Sequence, residues 1–89
     1  MIMLSMDYFQ EYCKGKLVNW YNDNHISDKK ICMNDVFVVW SCKTLQNYKA
    51  LLSTTVSDDG IYVEYTYNGD KRELYQDVYK KINNTAYTE

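Results

Sequence analysis

Proline is absent from this chain and glycine occurs three times, so no linker, low-complexity tract or second-domain boundary interrupts it. So few glycines leave no glycine-rich phosphate loop, and no HExxH, GxSxG or EF-hand pattern occurs. Histidine occurs once, as His25, in a polar stretch where it reads as a solvated loop or helix-end residue. Cysteine occurs three times, as Cys13, Cys32 and Cys42. An odd count without CxxC indicates neither a disulfide framework nor a zinc site, and a reducing compartment is expected. Cys32 lies seven residues from His25, but nothing in the sequence orients the two as nucleophile and base.

Long apolar runs are also missing. None approaches the roughly 20 residues a membrane helix needs, and the opening MIML is too short and too uncharged to read as a signal peptide. The sequon at Asn83-Asn84-Thr85 is therefore read as chance. The balance of charge is mildly acidic, −2 with a pI near 5.3, and the short runs Lys29-Lys30 and Lys71-Arg72 are too small to make a basic arm. That argues against a protein that grips a nucleic-acid backbone, which shows a basic stripe or arm. The acids have structural explanations: Asp58-Asp59 in a turn, Asp70 and Glu73 in a helix cap. No catalytic residues, metal ligands or cofactor are assigned, and an enzyme is not expected.

What is present is a globular composition, 46% apolar and 25% charged, with ten tyrosines. Tyrosine fills the margins of small cores and is a favoured contact residue of interfaces. Eighty-nine residues make one domain. Met6, Phe9, Cys13, Leu17 and Trp20 recur at helical spacing, so a helix is expected over 6–23, with Ser5 as its cap. A polar connector follows, with a short extra strand allowed over 30–33. Strands are expected over 36–44, 48–56 and 61–67, joined by Gln46-Asn47 and by Ser57-Asp58-Asp59-Gly60. Asp70 and Glu73 resemble a capping box, and Leu74, Val78 and Ile82 form a stripe, so a second helix is expected over 71–83, then a polar tail over 84–89. The predicted fold is α+β, in the order α-β-β-β-α: a three-stranded antiparallel meander with both helices packed on one face.

Side chains alternate along a strand and paired residues share a face. With Gln46-Asn47 as the turn, Val39 faces Thr54, and Leu52 faces Tyr65 across the second turn. One face then gathers Phe37, Val39, Ser41, Ala50, Leu52, Thr54, Val56, Ile61, Val63, Tyr65 and Tyr67, and is assigned to the helices. The other carries Val36, Val38, Trp40, Cys42, Lys49, Leu51, Tyr62 and Glu64. Val38, Trp40, Leu51 and Tyr62 are the candidate binding residues, because an apolar patch of roughly 300–400 Å² on a wet face usually means contact. The competing reading has the connector or the tail covering Trp40, and a slip of one residue in the turn exchanges the faces of the first strand.

The element order is also that of double-stranded-RNA-binding domains. Their phosphate-binding helix start has no counterpart in Asp70-Lys71-Arg72-Glu73, which is mixed in sign. Trp40 and Tyr62 could stack single-stranded bases, with Lys43 and Lys49 nearby for phosphates.

The run DVFVVWSCKTLQN from Asp35 to Asn47, continued by Lys49-Ala50-Leu51-Leu52-Ser53-Thr54-Thr55, and the segment Tyr65-Thr66-Tyr67-Asn68-Gly69-Asp70-Lys71 with Tyr75, carry a resemblance. Over roughly 35–81 the chain resembles small proteins of phages and prophages of Gram-positive bacteria, known only as a domain of unknown function. The resemblance implies a phage accessory protein acting in the host bacterial cytoplasm, and it brings no active site with it. By that context the expected function is binding of a host protein, as a counter-defence, anti-CRISPR-like inhibitor, or self-association as a homodimer. The alternatives are an oligomeric sponge for a nucleotide or other small signalling molecule, or a single-stranded nucleic-acid-binding accessory protein.

Overall fold

Ser5 starts the first element, its side-chain oxygen accepting the backbone N–H of Tyr8 at 3.1 Å. This computed structural model describes residues 5–56 and 59–89. Helix α1 spans Met6–Asp23, with Asp7 in its first turn, where negative charge suits the helix dipole. Phe9, Cys13, Leu17 and Tyr21 are its buried stripe, with Met6 and Trp20 packed at the margin, so the expected periodicity holds. Beyond it, the Asn22 side chain both donates to the carbonyl and accepts the N–H of Ile31, 2.9 Å each, folding the connector back on the helix. The extra strand allowed over 30–33 does not form. Met33–Asp35 is instead a 3-10 turn, closed by the Asp35 carboxylate accepting the Cys32 N–H.

Four strands follow: β1 Val36–Thr44, β2 Asn47–Thr54, β3 Ile61–Asn68 and β4 Glu73–Lys80. They form one antiparallel sheet in the order β1-β2-β3-β4. The expected three-stranded meander with two helices is therefore overturned: the segment 71–83 supplies a fourth strand, not a helix. Leu74 and Val78 are four apart, a spacing that suits both a helical turn and a strand face. Tyr75 and Tyr79, which flank that stripe at helical spacing, equally line the other face of a strand, so the pattern alone does not separate the two. As a strand, the segment satisfies the backbone edge that β3 would otherwise present to water. The expected capping pair serves elsewhere: Asp70 accepts a bond from Gln46 and Glu73 one from Tyr75. Asn68 Oδ1 accepts the N–H groups of Asp70 and Lys71, so the chain turns rather than winds.

The first hairpin turns at Leu45-Gln46 rather than Gln46-Asn47, with Thr44 opposite Asn47. Leu45 takes a positive φ of 56°. The second hairpin is likewise shifted from expectation, with Leu52 opposite Val63. Both shifts preserve the parity of the faces. Of the expected second turn, residues 57 and 58 lie outside the described residues. Asp59 anchors the start of β3: its carboxylate accepts the Tyr21 hydroxyl at 2.7 Å, the Thr54 hydroxyl at 2.9 Å and the Ile61 N–H at 2.9 Å. The end of the helix is thereby tied to the sheet.

The core lies between α1 and one face of the sheet. Phe9, Cys13, Leu17 and Tyr21 meet Val36, Tyr48, Ala50, Leu52, Ile61, Val63, Tyr65 and Tyr67. The Phe9 ring centroid is 5.2 Å from that of Tyr48, and the Gln10 amide donates to the Ser41 hydroxyl at 2.8 Å. On β1 the pairing steps between Val38, opposite Leu52, and Trp40, opposite Leu51. Val39 is the extra residue of a β-bulge. The bulge corrects the face assignment at the start of β1: Val36 is buried, Val38 packs against the core, and Phe37 turns to the other side.

Candidate functional site

Among the described residues a single α-helix covers one side of the sheet, and the other side is open. Its side chains fall in cross-strand rows set by the register. Phe37, Ser53, Tyr62 and Tyr79 form one row, and Trp40, Leu51, Glu64 and Asp77 the next. Cys42, Lys49, Thr66 and Tyr75 form the third. Trp40 is 42% exposed, Phe37 45% and Tyr79 53%. None of the three belongs to the core cluster or to the side chains packed against it. Ser53 is the exception on this side: flanked by Phe37 and Tyr62 it is buried, and its hydroxyl donates to the Ile61 carbonyl at 2.8 Å.

The structure thus brings Trp40 and Leu51 directly opposite one another and places Tyr62 diagonally in the adjoining row. Val38, the fourth candidate, is on the helix side. Three residues that sequence reasoning placed elsewhere join the face: Phe37, through the bulge, and Tyr75 and Tyr79, through the fourth strand. The alternation of Tyr75, Asp77 and Tyr79 with Leu74, Gln76 and Val78 was the available signal for the last two.

The electrostatics of the face are acidic. Lys49 is the one cation among its strand residues, and its ammonium lies 3.6 Å from the Glu64 carboxylate. Asp77 and Glu73 stand on the same side. Lys43, the other lysine considered for phosphate contact, is on the helix side over the Tyr48 ring, 5.5 Å from its centroid. Tyr75 donates its hydroxyl to Glu73, and that bond raises the Tyr75 pKa.

The remaining chemistry is dispersed. Cys13 is buried, and burial pushes its thiol up to about 12. Cys32 is exposed, its thiol 3.4 Å from the Asp35 carboxylate. The backbone bond from Cys32, and then the thiol, lower the Asp35 pKa. His25 is exposed, with a φ of 52°. Among the described residues no cluster of histidine, cysteine and acids could hold a metal ion, and no helix is long and apolar enough to cross a membrane.

No curated protein and no solved structure matches the chain. Residues 10–89 match the family of unknown function DUF6275. That span takes in most of the helix and all four strands, so the chain belongs to this family.

Proposed function

We propose that the protein is a binding module whose contact surface is the open face of the sheet, centred on Trp40 and Leu51 and extended by Phe37, Tyr62, Tyr75 and Tyr79. The observation that carries this reading is the large apolar side chains standing on the side away from the helix, where the core has no use for them. Covering a patch of roughly 300–400 Å² at about 25 cal/mol per Å² contributes several kcal/mol before association costs. Glu64, Asp77 and Glu73 suit a partner with an apolar centre and a basic rim. The resemblance to phage and prophage proteins supports a host protein in the bacterial cytoplasm as that partner, and inhibition of a host defence factor as the outcome. Storage of a nucleotide or binding of single strands draws little support from a face whose one lysine is paired with an acid.

The test is capture from host lysate with the wild type beside Trp40→Ala and Tyr79→Ala. A hot-spot aromatic contributes about 2 kcal/mol or more, so each substitution is expected to weaken the captured complex at least tenfold while the circular dichroism spectrum stays native. Undiminished capture by both folded variants rejects the face. Binding to oligonucleotides that falls steeply with salt would move the assignment to nucleic acid.

A further inference from the structure

Strand β4 is an edge of the sheet, eight residues long and without a bulge in its pairing to β3. The opposite edge, β1, is interrupted by the Val39 bulge, a device that discourages edge-to-edge pairing. We propose that β4 pairs antiparallel with β4 of a second copy of this chain, Gln76 opposite Gln76 on the two-fold axis, joining two sheets into one of eight strands.

The backbone restricts the register. The Lys81 N–H donates to the Gly60 carbonyl at 2.8 Å, one step beyond the Ile61–Lys80 pair. Hydrogen-bonded and non-hydrogen-bonded pairs alternate along an antiparallel ladder. Glu73, Tyr75, Asp77 and Tyr79 therefore direct their N–H and C=O groups toward β3. Leu74, Gln76, Val78 and Lys80 direct theirs outward. A second copy must set these outward residues against its own, which excludes any register of Gln76 against Asp77.

Two registers use most of the strand, and charge separates them. With Asp77 on the axis, two carboxylates meet in the close, non-hydrogen-bonded pairing. With Gln76 on the axis, Tyr75 faces Asp77 and Glu73 faces Tyr79 of the second copy on the open side, so that phenols meet carboxylates and no like charges oppose. On the helix side Leu74 and Val78 of each copy flank the central glutamines. Val78 is 40% exposed in the single chain, beyond the reach of α1. The pairing also brings the Tyr75 and Tyr79 rows of both copies together at one seam.

Light scattering on the eluting wild-type protein is expected to give twice the chain mass. Val78→Pro removes an outward N–H and no bond to β3, so it is expected to yield a folded monomer. Gln76→Cys, in a Cys32→Ser, Cys42→Ser background, is expected to oxidise to a covalent dimer, because Cα atoms in a hydrogen-bonded pair lie about 5.5 Å apart, within disulfide reach. Asp77→Cys in the same background is not expected to do so. A monomeric wild type at millimolar concentration overturns the proposal, as does a folded Val78→Pro variant that stays dimeric. Should Val78→Pro not fold, the two cysteine variants decide: cross-linking at Asp77→Cys in preference to Gln76→Cys overturns it. Since the contact is the strand edge, a monomer leaves the reading of the open face intact.

Discussion

The three cysteines divide by environment. Cys13 lies in the core between Phe9 and Leu17 on the helix stripe, whereas Cys32 and Cys42 are exposed. The thiolate is the reactive form, and burial disfavours it. A thiol reagent near neutral pH is expected to label Cys32 and Cys42 quickly and Cys13 only when the protein unfolds, which mass spectrometry of timed samples will show. Leu17 is fully buried on the same stripe. Leu17→Ala is expected to cost about 2–5 kcal/mol, measured as a fall in the urea midpoint. Trp40→Ala, on the open face, leaves no cavity and is expected to cost under about 1 kcal/mol. That contrast separates a residue kept for the core from one kept for the surface.

At the scale of elements, the two turns at one end of the sheet lie against each other. Gly69 donates its N–H to the Asn47 side chain at 2.9 Å, and a methyl group at Gly69 would collide with the Gln46 carbonyl. Gly69→Ala is expected to destabilise by about 1–3 kcal/mol through this crowding. Leu45 carries a side chain where φ is positive, a conformation costing about 1–2 kcal/mol for an L-residue. Its side chain is exposed, so Leu45→Gly relieves the strain with little lost packing, and a higher melting temperature is expected. Helix α1 was legible in the sequence because its stripe, its cap and the polar stretch after it all agree. The segment after Asp70 was not, because Leu74 and Val78 fit two periods at once and the need of β3 for a neighbour is a tertiary fact. The turn at Leu45 was hidden for a related reason: no glycine or asparagine marks its first position. The parity of the open face nevertheless survived, since both hairpin registers differ from expectation by an even step. Trp40, Leu51 and Tyr62 were therefore found, while Val38 was misplaced by a bulge that no residue type announces.

Across the whole molecule, one helix on four strands makes a plate of 40 × 39 × 19 Å. Its buried titrating groups set its response to alkali. Burial, with the Asp59 bond second, pushes Tyr21 up to about 12, and burial raises Cys13 and Tyr65 as well. Each holds its proton in the folded chain at a pH where the unfolded chain releases it. The folded state then binds more protons, so stability falls as pH rises. The loss is expected to begin near pH 9–10, where free thiols and phenols ionise, and to continue to about 12. Urea midpoints at pH 8 and pH 10.5 will register it, and a midpoint that does not fall would show that these groups ionise without unfolding the chain.

The single surplus residue on β1 works as a phase step between the two halves of that strand. Upstream of Val39 the odd-numbered Phe37 points outward; downstream the even-numbered Trp40 does. Were Val39 kept and β1 to run without the bulge, Phe37 would be driven toward the helix and Val36 and Val38 into water, whereas excising Val39 would leave Phe37 and Trp40 two places apart, on one face of a regular strand. The way the backbone absorbs one surplus residue, rather than the identity of any residue there, thus decides that the phenylalanine and the tryptophan share a surface.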